Sequence, residues 1–179
     1  MSIKALLYCT KAKPWLCINS GTFFGSNNPY ELAGAREKLS VHLNGTVCFE
    51  CDIEKVEKIR HDYSPLGDDL FFTKSVSIPV DFERQTCLNT EQLNSYQPRY
   101  ALYLENVKKI EPIPIPSDIV KEEFCHPKKA PQNMCYVTMN GERCVLISIQ
   151  PQHLANIANG LKDIEVRKSI LNEIKEMEK

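Results

Sequence analysis

The chain has 179 residues, 42% of them hydrophobic and 25% charged, with a formal net charge of −1. That length suits one domain with a core, or one domain and part of a second, and the near-neutral balance excludes nucleic-acid binding by bulk positive charge, leaving only a local patch or pocket. No apolar run is long enough to span a bilayer, and the opening Met1-Ser-Ile-Lys-Ala-Leu-Leu-Tyr-Cys9 is too short in its apolar part for an export signal, so a cytoplasmic location without membrane contact is expected.

Residues 3–9 form an apolar run suited to a buried strand. Residues 22–45 carry little pattern beyond a turn at Asn27-Asn-Pro-Tyr30, one or two helical turns between Glu31 and Leu39, and a tight turn at Asn44-Gly45. Thr46-Val-Cys-Phe-Glu-Cys-Asp-Ile53 is a strand by alternation, with Val47, Phe49 and Cys51 on one face and Cys48 and Glu50 on the other. Asp62 to Asp69 reads as a loop, and Leu70-Phe-Phe as a short buried segment. Thr90-Glu-Gln-Leu-Asn-Ser-Tyr96 starts like a capped helix and Pro98 ends it. Tyr100 to Ile110 is a strand, and Glu111-Pro-Ile-Pro-Ile-Pro116 continues it as extended chain. Residues 117–133 have the composition of a connector. Met134–Thr138 and Arg143–Ile149 then form a hairpin turned at Asn140-Gly141.

The hairpin's second arm leads into the most informative stretch, Val145 to Arg167. Pro151 suits a first helical turn, Leu154, Ile157 and Ala158 make an apolar face, and Gly160 suits the left-handed stop. In the strand that follows, Ile164 and Val166 point one way, Glu165 and Arg167 the other. Lys162 precedes the strand and can turn into the same space. Arg167 suits bidentate contact with phosphate. Lys162 suits a point charge or, if desolvated, a base. Glu165 suits orienting either one, or accepting from a base N–H. Folding alone predicts a solvated ion pair here, worth under about 1 kcal/mol. Residues 168–179 have Ile170, Leu171, Ile174 and Met177 at helical spacing.

Gly160-x-Lys162-x-x-Glu165-x-Arg167 resembles the signature of the ASCH family, a branch of the PUA-like nucleic-acid-binding barrels. Ser148-Ile-Gln-Pro151 and the helix before it follow the family's order, while Val47–Ile59 and Tyr100–Pro116 are similar more loosely. The resemblance implies an α+β fold, a small PUA-like β-barrel with flanking helices. The signature usually opens that domain, and here it lies near residue 179. Either the barrel is circularly permuted, or residues 1–116 form a degenerate barrel, 117–133 a connector, and 134–179 a partial second copy that restores the signature. A faint internal repeat lays Ala5-Leu-Leu…Gly21 over Val145-Leu-Ile…Gly160 and favours the second arrangement. A half copy completes its core in the same chain or by pairing in a homodimer.

The resemblance implies a non-catalytic module that binds RNA, DNA or a modified nucleotide, RNA being favoured, with Gly160, Lys162, Glu165 and Arg167 lining a cleft. Trp15, between basic residues, and Glu50 are possible additions. The family also holds amidohydrolases acting on acetylated cytidine, in which Lys162 would serve as base, but these carry threonine where Glu165 stands. A third expectation is a protein-interaction or inhibitor module, of the kind phages and mobile elements carry, with a host protein as partner. Cys48-Phe-Glu-Cys51 has metal-type spacing and Cys125-His126 could complete it. Opposite strand faces and the lack of a second Cys-x-x-Cys argue against zinc, and no metal or cofactor is expected. His42, His61 and His153 are isolated, and the eight cysteines read as reduced thiols.

Overall fold

The computed structural model describes residues 2–10, 43, 45–115, 120–121 and 130–178. Trp15, the turns expected between Glu31 and Leu39, His42, Cys125 and His126 lie outside them, as does most of the 117–133 connector. The architecture is mixed α+β. The strands are β1 (Ile3–Cys9), β2 (Thr46–Lys58), β3 (Arg60–Tyr63), β4 (Asp69–Phe72), β5 (Tyr100–Pro114), β6 (Val120–Lys121), β7 (Met134–Met139), β8 (Glu142–Ile149) and β9 (Ile164–Arg167). The helices are α1 (Pro79–Thr86), α2 (Thr90–Tyr96), α3 (Pro151–Ala158) and α4 (Asn172–Glu176).

Seven strands form one sheet in the order β6-β7-β8-β1-β2-β5-β9, and β3 and β4 form a separate hairpin. All neighbours in the large sheet are antiparallel except β1 and β8. Those two run parallel, with Ala5 opposite Val145 and Cys9 opposite Ile149. Ala5–Cys9 and Val145–Ile149, the strand parts of the two similar segments, thus lie side by side in the alignment the sequence gave them. Strands β7 and β8 extend one side of β1-β2-β5 and β9 the other, so segments from both sides of the connector share one sheet. A closed barrel was expected. Among the described residues the edge strands β6 and β9 are not paired with each other, and the sheet is open.

Both faces of the sheet are covered. On one, Leu7, Ile53, Leu102 and Ile147 pack with Leu154 and Ile157 of α3 and Ile174 of α4. On the other, Ala101, Tyr103, Ile164 and Val166 pack with Phe71 of β4, Phe82 of α1 and Leu93 of α2. Leu6, Val47, Val137 and Leu146 extend that second layer. Alternation along β5 and β1 separates the two faces.

Several local expectations change. Register shifts in β2 at Val47/Phe49 and Glu50/Asp52 break the period of two. Cys48, Phe49 and Cys51 therefore join one buried cluster while Val47 joins another, so the two cysteines do not face opposite ways. Among the described residues no three His, Cys, Asp or Glu side chains are grouped to hold a metal. The loop expected over residues 62–69 is shorter, 64–68, and forms the tip of the β3–β4 hairpin, with Asp62, Tyr63 and Asp69 in its strands. Its turn closes because the Ser64 hydroxyl accepts from the amides of Leu66 and Asp68, and Gly67 takes φ +86°. Helix α1 had no expectation; Pro79 starts it and Cys87, at φ 55°, ends it. Helix α2 has the expected cap, a reciprocal pair between Asn89 and Gln92. The terminal helix spans only Asn172–Glu176, leaving Ile170 and Leu171 before it. Among the described residues no helix is long and apolar enough to cross a membrane.

Candidate functional site

The site is built by the passage from β8 through α3 to β9. Pro151 begins α3, and Leu154, Ala155 and Ile157 bury its inner face. At its end Gly160 takes φ +75°, a conformation that side chains with a Cβ rarely adopt. The Asn156 carbonyl accepts from the amides of both Leu161 and Lys162 at 3.0 Å, which fixes the reversal. The chain then joins the sheet as β9, with Glu165 opposite Leu102 and Arg167 opposite Tyr100. Ile164 and Val166 enter the cluster beneath α1 and α2, so Glu165 and Arg167 face the other way.

The charged face is buried. Lys162, Glu165 and Arg167 are 2%, 7% and 9% exposed, so the solvated ion pair that folding alone predicts is not what forms. Glu165 lies between the two cations, 3.8 Å from Lys162 Nζ and 3.4 Å from Arg167 Nε. Lys162 donates to the Thr86 carbonyl at the end of α1, 2.5 Å away. Arg167 donates from Nη2 to the Ser148 carbonyl at 2.7 Å and from Nη1 to Asn133 Oδ1 at 3.0 Å. The triplet therefore ties α1, β8 and the chain before β7 to β9. Two of its polar atoms, Glu165 Oε2 and Arg167 Nε, are buried without a hydrogen bond and are met only by the longer ion-pair contacts to Lys162 Nζ and Glu165 Oε1. Such atoms are costly in a folded interior.

The three side chains line one cavity of about 530 Å³. Its remaining walls come from Thr10 after β1, Ser148, Ile149 and Gln150 at the end of β8, and His153 of α3. Leu88, Gln92 and Tyr96 close the α2 side, with Gln132 and Val166. Tyr96 is 38% exposed, and Lys168 lies over its ring at 5.0 Å. Burial pushes the Glu165 carboxyl up, but the charges of Lys162 and Arg167 outweigh it and hold the group below the ordinary carboxylate range. Burial pulls the Lys162 ammonium below the ordinary lysine value, against the upward pull of Glu165. Glu165 is thus an ionised acceptor with one oxygen facing Lys162 Nζ and the other Arg167 Nε.

The structure brings together Lys162, Glu165 and Arg167 of the residues singled out from sequence. Gly160 turns the chain toward them but does not line the cavity. Glu50 lies elsewhere, on β2, 3.4 Å from Lys4 at the surface. Trp15 is outside the described residues. Sequence reasoning missed His153, Gln92, Tyr96 and Gln132. For Gln92 only its capping role was visible, because nothing local states that α2 leans over β9. No protein-family model, curated protein or solved structure matches the chain.

Proposed function

We propose that the chain is a non-catalytic module that binds nucleic acid, RNA by preference, or a modified nucleotide, by taking one nucleotide-sized unit into the cavity. The observation that carries this reading is the convergence of Lys162, Glu165 and Arg167 on a single cavity of about 530 Å³. That volume lies in the range of small-molecule sites, about 300–1,000 Å³. Three glutamines and a histidine among its walls supply hydrogen-bonding groups, and the half-exposed Tyr96 supplies a stacking face. The net charge of −1 fits capture in a pocket better than a basic track along the backbone. The order strand, α3, Gly160, β9, with its three charges, likewise supports a variant of the PUA-like ASCH architecture, permuted or with a partial second copy.

Fluorescence anisotropy with short single-stranded RNA and DNA tests the binding. The reading expects saturable binding that weakens in Tyr96→Ala, Lys162→Ala and Arg167→Ala, each shown by circular dichroism to be folded. Tyr96 is half exposed, so its variant carries the test if the buried ones unfold. Binding unaffected by Tyr96→Ala places the ligand elsewhere.

The desolvation of Lys162 favours one second reading, an enzyme acting on an acylated nucleoside with Lys162 as base. It predicts release of acetate from acetylated cytidine, and intact substrate after prolonged incubation removes it.

A further inference from the structure

The cavity borders a group of charges that the reading above does not use. Lys168 follows Arg167 of the cavity wall, and its Nζ lies 5.0 Å from the ring centroid of Tyr96, another wall residue. Lys58, Tyr100 and Arg167 stand in one row across β2, β5 and β9, so their side chains share a face of the sheet. Lys175 of α4 lies over the Tyr100 ring at 5.6 Å. Arg99 precedes Tyr100, and its amide donates to the Arg167 carbonyl at 3.0 Å. Lys58, Arg99, Lys168 and Lys175 thus gather with two tyrosines at the end of the sheet that carries the cavity.

All four cations are exposed, and none forms an ion pair with a described carboxylate. Two carboxylates of the neighbouring elements are engaged elsewhere, Glu57 by Ser75 and Tyr103 and Glu173 by Arg143. Counting Glu176 and Glu178 of the terminal segment against the four cations still leaves the patch positive. Folding gives no reason for this grouping, since like charges placed together repel; Lys4, by contrast, is set between two glutamates. Exposed cations beside tyrosine rings suit unpaired nucleic acid, whose phosphates take the charges and whose bases take the rings. We propose that this patch, through Lys168 and Lys175 with Arg99 and Lys58 beside them, holds the phosphates flanking the nucleotide in the cavity, so that the ligand is a single-stranded segment rather than a free nucleotide. The inference rests on the binding function proposed above and deepens it. The patch is short, and it accounts for how a chain of net charge −1 holds a polyanion without a basic track.

Fluorescence anisotropy of the full chain with a short labelled single-stranded RNA, at a series of salt concentrations, tests this in the parent, Lys168→Gln, Lys175→Gln and Lys108→Gln. Lys108 is an exposed cation far along β5 from Tyr100 and serves as the control. Each of Lys168→Gln and Lys175→Gln is expected to weaken binding and to lower the log–log salt slope by about 0.7, the share of one single-strand phosphate, while Lys108→Gln leaves the slope unchanged. Unlabelled RNA is expected to compete at least about tenfold better than any nucleoside 5′-monophosphate. The substituted side chains are exposed, and circular dichroism confirms the fold. An unchanged slope in either patch variant, an equal fall in Lys108→Gln, or a monophosphate that competes as well as RNA overturns the inference. The binding function then stands if Tyr96→Ala still weakens binding, and falls as well if it does not. Absence of RNA, DNA and nucleotide binding in the parent overturns both.

Discussion

Two clusters of three charges sit on this sheet, and sequence drew attention to a glutamate in each. In one, Lys4 of β1 lies 3.4 Å from Glu50 and 3.7 Å from Glu142, with side chains 39%, 24% and 70% exposed. In the other, Glu165 lies between Lys162 and Arg167, and no side chain is more than 11% exposed. The distances are alike, but the surroundings are not. Around Lys4, water completes whatever the ion pairs leave undone, so the pairs add little to stability. Glu165, at 7% exposed, has little contact with solvent to do so. Each charge there depends on its neighbours and on three fixed protein acceptors: the carbonyls of Thr86 and Ser148 and the side chain of Asn133. Burial turns an ordinary ion cluster into a polar cavity wall held by fixed protein contacts.

The contrast breaks most visibly under Glu165→Ala. Removing the shared carboxylate leaves two buried cations without their counter-charge, and a loss of about 3–5 kcal/mol is expected in urea denaturation. A loss under about 1 kcal/mol would put the cluster in the same class as Lys4–Glu50. Next in size is Tyr96→Ala, which is expected to weaken RNA or nucleoside binding by about 1–3 kcal/mol through the lost stacking face, read by anisotropy or calorimetry. Its thermal midpoint should stay near that of the parent, since the ring is half exposed.

Acid titration sharpens the comparison further. The Glu165 carboxyl is held below its ordinary value of 4.5 in the folded chain, so the unfolded chain takes up its proton first as pH falls. Its contribution is complete above the unfolded value and is lost as pH falls through the folded one. The stability gap between the parent and Glu165→Gln should therefore narrow in acid, as followed by urea midpoints at successive pH values. A gap that widens in acid contradicts the sign. The smallest effect belongs to Glu50→Ala, expected to shift stability by less than about 1 kcal/mol in the same denaturation assay and to leave ligand binding unchanged.

Much of the sheet was legible because its strands carry their own patterns. β1, β5, the β7–β8 hairpin at Asn140-Gly141 and the α3–Gly160–β9 passage all form where apolar spacing and turn residues place them. Alternation also put Glu165 and Arg167 on one face. It did not say whether that face meets water, because the answer depends on a carbonyl 76 residues away, that of Thr86. Helix α1 escaped notice for a related reason. It buries only Phe82 and Thr86 and exposes Val80, so little apolar period marks it. The alternation in β2 failed where bulges shift its register, since a single inserted residue reverses every later side chain. The cavity is assembled from five separate stretches of chain. Local pattern marks the wall that holds the charges and stays silent on the walls that enclose them.

The central claim is capture of one unit in a pocket rather than attachment along a charged track. The salt dependence of binding to a short unstructured RNA measures it most directly. Pocket capture by a chain of net charge −1 predicts saturable binding whose log–log slope against salt is about 2 or less in magnitude, equivalent to about three phosphates or fewer. A slope of about 5 or more, the mark of a basic track, or no binding at any salt, would contradict it.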